Sequence, residues 1–136
     1  MRLLVVTSEP VSAAVLRAAL PDGVDAADSE VMVVAPALHE SGLRFWMSDA
    51  DDAIAEADRV RRQTVDRLGS AGIAASGDLG ESDPMLAIED ALATFRADRI
   101  VLFTHPDADR EYREKLEPQE IEQRVGVPVD AATVPR

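Results

Sequence analysis

The sequence predicts a doubly wound, parallel α/β sheet with helices on both faces. Short apolar runs recur that are continuous rather than alternating, as strands covered on both faces require. Stretches with helical spacing separate them, and glycine or proline punctuates most of the junctions.

Arg2–Thr7 is the first run and reads as a buried strand. Ser8-Glu9-Pro10 then resembles a helix start, with serine as the cap and proline in the first turn. Val11, Val15 and Ala18 continue at helical spacing until Pro21-Asp22-Gly23. Glu30–Ala35 is the second strand. A long connection, Pro36 to Met47, leads to Ser48 and Asp51, which resemble a capping box. They open the longest helix, with Ala53, Ala57, Val60, Thr64 and Leu68 on one face and Asp58, Arg59, Arg62 and Asp66 on the other. Gly69 and Gly72 mark its end.

Ile73–Ser76 reads as a short third strand and Gly77–Ser82 as a loop. Asp83-Pro84 caps the next helix, in which Met85, Ile88, Leu92 and Phe95 form an apolar stripe. Arg99–Thr104 is the fourth strand. Asp107 to Glu117 is a charged stretch that reads as a solvated loop. Pro118 starts a final helix carrying Ile121 and Val125, which Gly126 ends. Val127–Val134 is a fifth strand, and Pro128 near its start suits a sheet edge.

Right-handed crossovers arrange these elements in the strand order 3-2-1-4-5, within one domain spanning residues 1–136. The direction of winding then reverses between the first and fourth strands. Ligands in such sheets bind beyond the carboxyl ends of the strands at that point. The residues expected there are Thr7 and Ser8, Ala35 at the end of the second strand, and Thr104 and His105.

The chain has 26 acidic residues against 14 basic ones, a formal charge of −12. Such a surface repels phosphate backbones and anionic lipids, which argues against nucleic-acid and membrane partners. There is no cysteine, so thiol and disulfide chemistry are excluded. Leu3 to Val6 is too short for a signal-peptide core or a membrane span, and a cytoplasmic protein is expected.

The run Ala97-Asp98-Arg99-Ile100-Val101-Leu102-Phe103-Thr104-His105-Pro106 resembles the fourth strand of the universal stress protein family, a run of the type A-D-L-I-V-M-G-S-H-G. Asp98, Ile100, Val101 and His105 match directly, and Thr104 matches conservatively. Asp83-Pro84 followed by Ala87-Ile88 is similar to the helix before that strand, and Gly126-Val127-Pro128-Val129 to the family's closing strand. The resemblance implies a Rossmann-like fold of the adenine nucleotide alpha hydrolase type, a role in stress response, and a homodimer formed through the C-terminal strand. Nucleotide-binding members carry G-x-x-G and then G-[ST], where glycines let backbone amides approach phosphates. No glycine lies between Glu81 and Val125 in this chain, and Asp107, Asp109 and Glu111 add negative charge there. The first-strand loop, Val6-Thr7-Ser8-Glu9, offers no aspartate to match the family's. No ATP or AMP cofactor is therefore expected in the usual manner.

Other constellations point to chemistry less directly. Ser8, His105 and Asp78 stand near strand ends, as a hydrolase triad would need, but Ser8 lacks a G-x-S-x-G elbow. His39 and His105 are the only histidines and lack metal-ligand spacing, and Ser48–Asp52 lacks the glycine and distal glutamate of a calcium loop. No metal is expected. Leu43, Phe45, Trp46 and Met47 form an aromatic cluster that reads as a plug over the sheet end or as a lid. The function expected is that of a non-enzymatic, dimeric, stress-type regulatory module acting through protein–protein contacts, with a further protein partner of unknown identity. A small-molecule, nucleotide-like binder is the alternative, and a small hydrolase a weaker one.

Overall fold

The computed structural model describes residues 1–36, 50–80, 84–104 and 118–133. The strands are β1 (Arg2–Val6), β2 (Glu30–Pro36), β3 (Ala74–Gly80), β4 (Arg99–Thr104) and β5 (Val129–Thr133). The helices are α1 (Ala13–Ala19), α2 (Ala50–Ser70), α3 (Pro84–Thr94) and α4 (Pro118–Val125), with a 3₁₀ turn at Ala26–Asp28. All neighbouring strands are parallel, in the order β3-β2-β1-β4-β5, as the winding argument requires.

The apolar runs are continuous because successive side chains enter two different cores. Leu3, Val5, Val31, Val33, Val101 and Phe103 face one layer, where Leu16 of α1 and Leu68 of α2 cover them. Leu4, Val6, Val34, Ile100 and Leu102 face the other, under Ala87 and Ile88 of α3 and Ile121 of α4. The expected stripe on α2 is present, with Ala57, Val60, Thr64 and Leu68 all buried. On α3, Ile88 and Phe95 are buried and Met85 and Leu92 partly so.

Three boundaries differ from the sequence reading by more than one residue. Helix α1 starts at Ala13, not around Ser8-Pro10. Its cap is Ser12, in an extended conformation, whose hydroxyl accepts the Val15 amide at 3.3 Å. The reason is the turn before it, where the Thr7 hydroxyl binds back onto Glu9 and redirects the chain. The buried face of α1 accordingly runs through Ala13 and Leu16, and Ala18 is exposed.

Strand β3 extends through Gly77, Asp78, Leu79 and Gly80, which had the composition of a loop. Gly77 belongs in the strand because α2 lies directly on it. A Cβ there would stand 2.6 Å from Arg61 Cγ and 3.0 Å from Val65 Cγ2. Strand β5 begins at Val129, after Pro128, whose carbonyl accepts the Ile100 amide at 2.9 Å. It forms an edge of the sheet, as the proline suggested. Gly126 ends α4 with φ +72°, its amide donating to the Glu122 carbonyl at 2.8 Å.

Candidate functional site

Strand β1 hands the chain to α1 on one face of the sheet, whereas α4, which follows β4, lies on the other. Val6 and Leu102 are register partners, so the ends of β1 and β4 are neighbours. The reversal of winding falls where the sequence placed it, between Thr7-Ser8 and the end of β4.

At the β1 end, Thr7 is fully buried. Its amide donates to the Val34 carbonyl at 3.1 Å, which continues the ladder to β2. Its hydroxyl donates to the Glu9 carbonyl at 2.6 Å and accepts the Glu9 amide at 3.1 Å. Pro10 has no amide proton. The Val11 amide donates to the Thr64 hydroxyl at 3.1 Å, and Val11 and Thr64 are both fully buried. The donors of this turn at Glu9 and Val11 therefore point at the protein's own hydroxyls. Those two amides are taken up within the protein, whereas in a phosphate cradle successive amides converge on a ligand.

Charge at this corner is balanced by α2. Arg59 bonds to the Glu56 carboxylate and to Gln63 Oε1. Its pKa is raised, chiefly by the hydrogen bond to Glu56, with a smaller electrostatic contribution from Glu9. The Glu56 carboxyl is held below its ordinary range by the same bond.

The other residues expected at the site fall as follows. Ser8 is half-buried in the turn. Ala35 is fully buried and packs with Ala57 and Val60 of α2. Thr104 ends β4 as the register partner of Thr133. His105 lies outside the described residues, as do His39, the Leu43–Met47 cluster, the Ser48 cap and the Asp107–Glu117 stretch. Asp78 is the register partner of Val34, which in turn pairs with Val6. It thus stands two strand spacings, about 10 Å, from β1, and the fold does not bring it to Ser8. Asp51 and Asp52 lie within α2, not in a metal-binding loop. Among the described residues no cluster of His, Cys, Asp or Glu is disposed to hold a metal. None of the described helices is long and apolar enough to cross a membrane.

An open, mainly apolar groove of about 300 Å³ lies beside this region. Ala14, Val15, Ala18 and Ala19 of α1 form one wall, and Phe103 and Ala132 the floor.

The role of Thr64 was not read from the sequence, which placed it only on the buried face of its helix. The signal was nonetheless present, since a hydroxyl in a stripe of alanine, valine and leucine must find a polar partner.

The fold and the position of the reversal define a doubly wound α/β protein whose winding reverses between the first and fourth strands. A crystal structure of a universal stress protein in complex with cAMP superposes on it with a TM-score of 0.58. The match covers 96% of this chain and 94% of that one at 18% identity. The chain thus has the fold of a universal stress protein. No family model matches the sequence, and neither does any curated protein.

Proposed function

We propose that this chain is a universal-stress-type regulatory module. It is non-enzymatic and cytoplasmic, acts as a homodimer, and does not hold ATP in the manner of the glycine-bearing members. The observation that carries the reading is the inward-turned β1–α1 turn, whose amides at Glu9 and Val11 are spent on Thr7 and Thr64. The glycine-free stretch from Glu81 to Val125 and the net charge of −12 weigh in the same direction, against a triphosphate.

The edge strand supports the homodimer. The Pro128 carbonyl faces β4, and the Val129 amide donates to Glu122 Oε1 at 2.8 Å. Alternation along the strand then turns the backbone groups of Ala131 and Thr133 outward, and both residues are exposed. An open edge of this kind invites pairing with a copy of itself. Sedimentation velocity over a wide concentration range tests this. A dimer that Ala131→Pro converts to a monomer is expected, and a wild-type monomer at every concentration would contradict it.

A second reading, a small nucleotide-like ligand at the crevice, draws on the structural neighbour's complex with cAMP. Thr7, Ser8, Ala35, Thr104 and His105 are its residues. Titration calorimetry with ATP, AMP and cAMP distinguishes the readings. Saturable heat with a monophosphate favours the second, and no heat with any of the three removes it.

A further inference from the structure

We propose that residues Thr7–Ser12 form a strap latched over the end of β1, and that Thr64 is the positioning residue that holds it. The latch has two parts. The Thr7 hydroxyl closes the near half by donating to the Glu9 carbonyl at 2.6 Å and accepting the Glu9 amide at 3.1 Å. Thr64, 53 residues further along the chain from Val11, closes the far half by accepting the Val11 amide at 3.1 Å.

Nothing else in the pattern of the fold requires a hydroxyl at position 64. It shares its face with Ala57, Val60 and Leu68, and a valine there would serve the packing equally well. A helical threonine commonly spends its hydroxyl on a carbonyl of its own preceding turn. The Thr64 hydroxyl oxygen accepts from another element, the Val11 amide. The strap is held by a threonine hydroxyl at each half and by burial of Val11 in the core beside Leu3 and Leu16, while the strands on either side are held by continuous ladders. With fewer backbone hydrogen bonds than the sheet, it opens locally before the sheet does. The latch couples the end of β1 to α2, so displacement of either is felt by the other.

The device stands apart from the reading of the crevice. Only one consequence rests on that reading: a ligand that reaches the end of β1 must first displace the turn.

Amide hydrogen exchange on the full chain without ligand, resolved by NMR, tests the latch in the wild type and in Thr64→Val and Thr64→Ser. Loss of the acceptor in Thr64→Val is expected to speed Val11 exchange by about tenfold, the equivalent of one net hydrogen bond. The change should be confined to residues 7–12, and Thr64→Ser should restore slow exchange. Unchanged Val11 exchange in Thr64→Val, or equal acceleration at Val5 and Val101, would overturn the proposal. If Thr64→Val does not fold, the wild type decides. Glu9 and Val11 exchanging together, ahead of Val5 and Val101, supports the strap; exchange of all four in a single global step contradicts it.

Discussion

The two ends of the sheet are built differently. At the amino ends of the strands, polar contacts tie neighbouring elements together. The Asp98 amide donates to the Arg2 carbonyl and the Arg2 amide to Asp98 Oδ2, both at 2.7 Å. Arg2 also faces Glu30 at 3.4 Å and lies over the Phe95 ring, 5.8 Å from its centre. The Arg99 guanidinium grips Asp130 through two nitrogens, at 2.7 and 3.2 Å, and Glu122 holds the Val129 amide. At the carboxyl end of β1 the polar contacts run within one turn and from that turn to α2. The first end clamps β1, β2, β4 and β5 into register, whereas the second shapes a surface. Asp98 shows why the difference matters: it is one of the residues that match the family's fourth-strand pattern, yet its contacts here are those of a structural clamp.

Substitutions at the two ends should therefore behave differently. The largest effect is expected for Asp130→Ala. Its carboxylate and the Arg99 side chain are each only about a quarter exposed (24% and 26%), and Asp130 is the chief cause of the raised Arg99 pKa. Removing it strands a poorly hydrated guanidinium, at a cost of about 2 kcal/mol. Urea denaturation should show this as global destabilisation, with the order of amide exchange at Glu9 and Val11 relative to the sheet preserved. Selective opening of the turn by Asp130→Ala would erase the distinction between the ends.

Gly77→Ala should come next. The added methyl meets the stems of Arg61 and Val65, and the resulting shift of α2 should cost about 1–2 kcal/mol. Because α2 carries Thr64, this variant should also speed Val11 exchange, which a change at the amino end should not do.

The smallest effect is expected on the exposed face of α2. Glu56 has a depressed pKa owing to Arg59, so its ionised form favours the folded state. That contribution is present above its ordinary value of 4.5 and is lost as pH falls through the lower folded value. Because the pair is largely exposed, Glu56→Gln should cost less than about 0.5 kcal/mol at neutral pH. The difference from wild type should vanish in acid, as stability curves at neutral and low pH would show.

How much of this was legible in the sequence follows from what each residue responds to. Strand β4 was read from Arg99 to Thr104 because a buried strand needs only a continuous apolar run. The sheet order followed from chirality and connectivity alone. Strand β3 was cut short at Gly77 because its glycines answer to the approach of α2, which no local pattern encodes. The start of α1 was misplaced because Ser8-Glu9-Pro10 has the composition of a cap, while the Thr7 hydroxyl spends itself on the following backbone and moves the cap to Ser12. At the site, the meeting of two strand ends was visible. The engagement of Thr64 with Val11 was not, because hydrogen bonding across 53 residues leaves no periodicity.

The central proposal is that this chain, with the fold of a universal stress protein, does not hold ATP in the manner of the glycine-bearing members. Mass spectrometry of the supernatant after denaturing the purified protein tests it most directly. The account predicts no stoichiometric ATP; ATP released at close to one molecule per chain would contradict it.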